Sequence, residues 1–90
     1  MEVGAHIIVR GYVQGVGFRY FVCNRATNLG LTGFVRNLYN GDVEIEVEGD
    51  RSLIEEFIKE MKAGPRSAHV ADVKIHWKEK SNKYQSFEIH

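Results

Sequence analysis

Six consecutive residues, Gln14-Gly15-Val16-Gly17-Phe18-Arg19, hold the clearest chemical potential in the chain. Two glycines let a backbone curl through positive φ, so that successive N–H groups converge on one point. At a helix start those groups are unpaired, and the positive end of the helix dipole adds to them. An anion, phosphate above all, fits such a cradle. Arg19 stands at its edge with a planar fork that can meet two phosphate oxygens, and it stays protonated at any physiological pH. Two other phosphate motifs do not match. Gly15-Val16-Gly17 opens like a dinucleotide fingerprint, but Tyr20 stands where the third glycine belongs and no acidic residue follows at a place suited to ribose. A P-loop would end in Gly-Lys followed by Ser or Thr, which is absent. Taken alone, a glycine loop of this kind is more often a tight connection than a site.

Other residue types suggest less. A cysteine phosphatase needs its thiolate at the start of the phosphate loop, whereas Cys23 follows Arg19 by four residues, inside the expected helix; it reads as a free helix thiol. His6, His69, His76 and His90 show no ligand spacing, so no metal is expected. Glu44, Glu46 and Glu48 alternate with apolar residues and read as a solvated strand face rather than a cation site. Arg36 beside Asn37 could lend positive potential to substrate, and reads at least equally as an exposed strand residue pairing with a glutamate across a hairpin. Tyr20 and Tyr39 could border a pocket, but read first as half-buried packing residues.

The elements that must position the loop follow from periodicity. Ala5 to Val13 is a strand with Ile7, Val9 and Val13 on one face. Gly11 within it calls for a backbone reason such as a bulge or a close helix approach. After the loop, Phe18, Phe21, Val22, Ala26 and Leu29 mark one stripe of a helix that Gly30 stops. Thr32 to Tyr39 is a second strand, and Asn40-Gly41 a hairpin turn with positive φ at both central positions. Asp42 to Glu48 alternates cleanly, with Val43, Ile45 and Val47 facing inward. Ser52 to Glu55 has capping-box spacing. Leu53, Ile54, Phe57, Ile58 and Met61 form the second helical stripe, which Gly64-Pro65 ends. His69 to Lys80 is a fourth strand with Ala71, Val73, Ile75 and Trp77 inward, and Phe87 and Ile89 suggest a short fifth. The order β-α-β-β-α-β predicts a ferredoxin-like α+β sandwich, an antiparallel sheet with both helices on one face and the glutamates on the open one. That fold hosts enzymes, RNA binders and regulators alike.

Composition bounds the rest. Ninety residues and 10.3 kDa predict one domain over residues 1–90, with a folded surface of about 5,400 Å² by size scaling. One cysteine forbids an internal disulfide and fits a reducing, cytoplasmic setting. Lys+Arg and Asp+Glu are 12 each, so no broad basic surface for nucleic acid is expected. Apolar stretches such as Ile7-Ile8-Val9 are too short for a membrane span, and no secretory signal is evident. Nothing demands more than a monomer.

Two segments carry a resemblance. Val9-Arg10-Gly11-Tyr12-Val13-Gln14-Gly15-Val16-Gly17-Phe18-Arg19 resembles the first signature of the acylphosphatase family. Gly33-Phe34-Val35-Arg36-Asn37, followed by Gly41-Asp42-Val43 and Gly49, resembles the second. The likeness extends over the whole chain, since members are stand-alone domains of this length and element order. It implies hydrolysis of the carboxyl–phosphate bond of acyl phosphates to carboxylate and inorganic phosphate, without metal or cofactor. It implies that the backbone amides of Gly15, Val16, Gly17, Phe18 and Arg19 bind the phosphoryl group. The Arg19 side chain would anchor that group, and Asn37 would orient the attacking water.

Such a sparse site is chemically coherent. Phosphoryl transfer is mostly positioning and charge stabilisation. The leaving carboxylate has a conjugate acid of pKa about 4 and needs no general acid, whereas an alcohol would. The expected substrates are small acyl phosphates such as carbamoyl, acetyl or 1,3-bisphosphoglyceryl phosphate. The chief rival is a non-catalytic sensor or carrier of acyl phosphates, since related domains occur inside larger carbamoyl-transfer proteins. An RNA-binding module of the same element order would need aromatic residues on its central strands, where this chain has Val43, Glu44, Ile45 and Glu46.

Overall fold

The computed structural model describes residues 1–90 throughout. The elements are β1 (Glu2–Tyr12), α1 (Phe18–Asn28), β2 (Thr32–Asn37), β3 (Val43–Asp50), α2 (Arg51–Ala63), β4 (His69–Lys78) and β5 (Phe87–Ile89). They make one sheet of order β4-β1-β3-β2-β5. Because β1 and β2 both run antiparallel to β3, α1 must carry the chain across β3 to reach β2. The glycine loop after β1 therefore opens at the same end of the sheet as the β2–β3 hairpin. The apolar stripes meet as their spacing requires. Ala5, Ile7, Val9, Val35, Val43, Ile45 and Val47 of the sheet are fully buried beneath Phe18, Val22, Ala26, Ile54, Phe57 and Met61. The accessible surface is 5327 Å², close to the value expected from size.

The structure corrects several sequence expectations. The sheet is mixed, not purely antiparallel, because β5 pairs parallel to β2. Strand β2 stops at Asn37, and the hairpin turns through Tyr39 and Asn40 with positive φ only at Gly41. The Gly41 N–H bonds Leu38 O and the Leu38 N–H bonds Asp42 O, the pattern of a turn followed by one left-handed residue. Helix α2 is capped by Asp50, whose carboxylate accepts the Ser52 N–H at 3.1 Å. Strand β3 runs straight into this helix, which leaves Ser52 already inside the first turn. Leu53 points outward. In β4 a bulge opposite Arg10/Gly11 shifts the phase, so that Val70 rather than Ala71 packs against the core.

The largest correction concerns the glutamates. The outer face is not open, because the chain after β4 folds back over it. Glu48 is 1% exposed and Glu46 8%. The Glu48 carboxylate accepts the Ser81 N–H at 2.8 Å, the Ser81 hydroxyl at 2.5 Å and the Asn82 N–H at 3.2 Å. Lys78 donates to Glu46 at 2.6 Å, and Glu44 sits between His6, at 2.8 Å, and Arg36. Burial pushes the Glu44 and Glu48 carboxyls up, but these hydrogen bonds outweigh it and hold both below the ordinary value of 4.5. The expected pairing of Arg36 across the hairpin is present, in register with Glu44.

Candidate active site

The loop after β1 takes the shape that its glycines permit. Gly15 and Gly17 have φ of 76° and 78°, a region that side-chain-bearing residues avoid. A Cβ at either would meet nothing within 4 Å, so the requirement is conformational and not a matter of room. Gly17 caps α1 without any side-chain hydrogen bond, and no acidic residue occupies the first turn. Outside the helices and strands, no backbone hydrogen bond uses an N–H from Gly15 to Tyr20; the first is Phe21 to Gly17 O at 3.1 Å. The positive end of the helix is thus left without an internal acceptor. Phe18 is 1% exposed and roots this end of the helix in the core, so the free amides sit on a fixed base.

Two side-chain contacts tie the loop to distant parts of the chain. The Gln14 amide donates to Leu38 O at 2.7 Å and to Asp42 O at 2.8 Å. On the other flank the Ser67 hydroxyl donates to Val16 O at 2.8 Å. Neither partner was legible in the sequence, because they lie 24, 28 and 51 residues away.

A small cavity of about 100 Å³ opens over the loop, lined by Val13, Gly15, Gly17, Phe18, Arg19, Tyr20 and Asn37. Arg19 donates through Nη1 to the backbone oxygen of His90 at 2.7 Å. Arg10, Arg25, Arg36 and Arg51 each have an acidic partner, whereas no acidic side chain pairs with Arg19 or Arg66. The other donors of the Arg19 guanidinium have no partner. Asn37, the last residue of β2, has a buried Oδ1 with no hydrogen-bond partner. Buried acceptors are almost always paired, and leaving one unpaired costs about 1–3 kcal/mol. A second, larger cavity of about 460 Å³ shares Asn37 and is also lined by Gln14, Arg36, Leu38 and Tyr39.

Cys23 lines neither cavity; it is half-buried and points to Phe87 O at 3.7 Å. Tyr20 and Tyr39 are exposed, not half-buried, and each borders one of the two cavities. His6 and His76 face each other across β1 and β4, but no third ligand joins them.

Comparison with known proteins agrees with this arrangement. The family model described as Acylphosphatase matches residues 5–89. The acylphosphatase of Caldanaerobacter subterraneus subsp. tengcongensis is 44% identical over 90 residues, covering all of both chains. That of Moorella thermoacetica is 51% identical over 77 residues, covering 86% of this chain and 83% of its own. The crystal structure of the Bacillus subtilis acylphosphatase superposes with a TM-score of 0.94 at 36% identity, covering 98% of each chain. Full-length HypF, in a phosphate- and nucleotide-bound form, matches with a TM-score of 0.87 and 34% identity, over 12% of its length. With its whole length matched and both signature segments meeting at one cavity, the chain belongs to the acylphosphatase family of enzymes.

Proposed function

We propose that this chain hydrolyses small acyl phosphates through Arg19, Asn37 and the amides of Gly15, Val16, Gly17, Phe18 and Arg19. The observation that carries the reading is a single cavity lined by unpaired loop amides, an arginine with free donors and no acidic side-chain partner, and an orphaned amide oxygen. The amides and Arg19 hold the phosphoryl oxygens. A charge pair near 4 Å is worth about 4 kcal/mol at an effective dielectric of 20. The Oδ1 of Asn37 accepts a hydrogen bond from a water and aims it at phosphorus. The water oxygen bonds to phosphorus while the bond from phosphorus to the acyl oxygen breaks, and the carboxylate leaves with the electron pair. Asn37 cannot take the proton of the water, so that proton passes to a phosphoryl oxygen of the substrate. No step is assigned to a metal. The single half-buried thiol, Cys23, suits a reducing cytoplasm. The reading takes the chain as a monomeric single domain acting on carbamoyl, acetyl or 1,3-bisphosphoglyceryl phosphate, with no nucleic-acid or membrane partner.

A second reading is a domain that binds acyl phosphates without turning them over; the match to 12% of full-length HypF shows that a domain of this fold also stands as one part of a longer protein. Benzoyl phosphate hydrolysis separates the two. The expected result is turnover that EDTA leaves intact and that Arg19→Ala and Asn37→Ala nearly abolish. Absence of turnover in the unaltered protein, with phosphate still raising its melting temperature, would establish the binding domain instead. An Arg19→Ala variant as active as the parent would defeat the site assignment.

A further inference from the structure

The proposed reaction needs two parts of the chain in fixed relation: the loop that holds phosphorus and the residue that holds water. They belong to different elements. The loop follows β1, while Asn37 ends β2, and β3 lies between those strands. Beyond the sheet ladder, in which Val43 pairs with both Val9 and Asn37, Gln14 alone bridges from the loop to the hairpin with hydrogen bonds. Its Nε2 carries two hydrogens, and each has a carbonyl acceptor on the hairpin, Leu38 O at 2.7 Å and Asp42 O at 2.8 Å. Leu38 directly follows Asn37, and Asp42 directly precedes Val43, the cross-strand partner of Asn37. The same Asp42 oxygen also accepts the Leu38 N–H at 2.9 Å, so the bridge enters the closing bond of the hairpin. No other hydrogen bond or ion pair joins residues 13–19 to residues 36–42. Asn37 itself forms no hydrogen bond through its buried Oδ1, so its position rests on the backbone that Gln14 grips.

We infer that Gln14 is a positioning residue: its side-chain amide locks the Asn37-bearing hairpin onto the phosphate loop and so sets the line from water to phosphorus. The inference rests on the hydrolytic reading of the site. It predicts a division of effects. Phosphate is gripped by the amides of Gly15 to Arg19 and by the Arg19 side chain, none of which Gln14 bonds, so its affinity should fall far less than turnover when the Gln14 bridge is lost. Turnover does, because a misplacement of about 1 Å can cost about 100-fold in rate.

The test replaces Gln14 by Met, which keeps the length of the side chain and loses both donors. For Gln14→Met the expected kcat for benzoyl phosphate is about 30-fold below that of the parent, with inhibition by inorganic phosphate within about threefold of it. In the Asn37→Ala background the same substitution should slow turnover by less than about threefold, since a positioning effect needs the residue it positions. A folded Gln14→Met enzyme with kcat within about threefold of the parent overturns the inference, as do losses that multiply in the double variant. If Gln14→Met does not fold, Gln14→Asn, which keeps the amide but is too short to reach both carbonyls, takes its place; failure of both to fold makes the contact structural and also overturns it. Hydrogen exchange supplies a readout free of turnover. The Leu38 and Gly41 amides should exchange faster in the variant than in the parent, and unchanged exchange rejects the bridge. Absence of hydrolysis by the parent defeats the hydrolytic reading alone, and the exchange data then decide whether the bridge exists.

Discussion

Asn37 ends β2 with a buried oxygen that nothing in the protein satisfies. Arg19 lies at the same cavity with a charge that no acidic side chain neutralises. Both are poor choices for stability and good ones for a polar anionic ligand. Asn37→Ala should therefore cut kcat by about 10² to 10³ while leaving stability within about 0.5 kcal/mol of the parent or above it. Steady-state kinetics beside a urea melt would check this, and a marked loss of stability would show that Oδ1 has a structural partner. Arg19→Lys keeps the charge and loses the fork. The expected result is a fall in kcat/KM of about 10², with more lost in Arg19→Ala. Equal activity in Arg19→Lys and the parent would mean that charge alone suffices. Sequence order exposed Arg19 and the glycine loop because their chemistry is local. It did not expose the bonds of Gln14 and Ser67, whose partners are backbone carbonyls, and any residue can supply a carbonyl.

At the scale of elements, the way β1 ends decides where the loop points. The register shifts between Arg10 and Gly11, opposite a bulged β4. A Cβ at Gly11 would come within 2.1 Å of His69 O and 2.8 Å of Ala71 N, both backbone atoms that cannot swing aside. Its φ of 134° is unsuited to alanine as well. Gly11→Ala should cost at least about 3 kcal/mol, which thermal unfolding would measure. A drop of less than about 1 kcal/mol would mean that the bulge relaxes freely. Sequence spacing pointed to a bulge or close approach at Gly11 and found the first helix from its apolar stripe. It misplaced the cap of α2, since a Ser52–Glu55 pair mimics a capping box while Asp50 makes the bond. It also placed Ala71 inward, because alternation counted along one strand cannot see a bulge that its partner imposes.

At the scale of the molecule, the outer face of the sheet is a closed polar layer. Three donors converge on the Glu48 carboxylate, which is 1% exposed, and Glu44 is shared by His6 and Arg36. Both carboxyls are held below 4.5 in the folded protein. A lowered folded-state value means that the unfolded chain binds more protons as the pH drops. This contribution to stability is complete above 4.5 and is lost as the pH falls below it towards the folded-state values. Stability measured by urea unfolding from pH 7 to pH 3 should therefore decline in that window, and Glu48→Ala should flatten the decline. Near neutral pH, Glu48→Ala should cost about 2–3 kcal/mol, the size of charged hydrogen bonds lost from a buried group. A pH dependence identical to that of the parent would remove Glu48 from this account.

By itself the sequence determined the α+β order of elements, most of the two apolar stripes, the glycine loop between β1 and α1, and the family. Each of these is written in neighbouring residues: side-chain period, glycine position and motif spacing. Only the tertiary structure decided that β5 runs parallel to β2, that the chain after β4 covers the glutamates, and that Gln14 ties the loop to the hairpin. Those contacts join residues far apart along the chain through backbone groups common to every residue. Their partners are selected by how the layers close, and the order of side chains along the chain carries no mark of them.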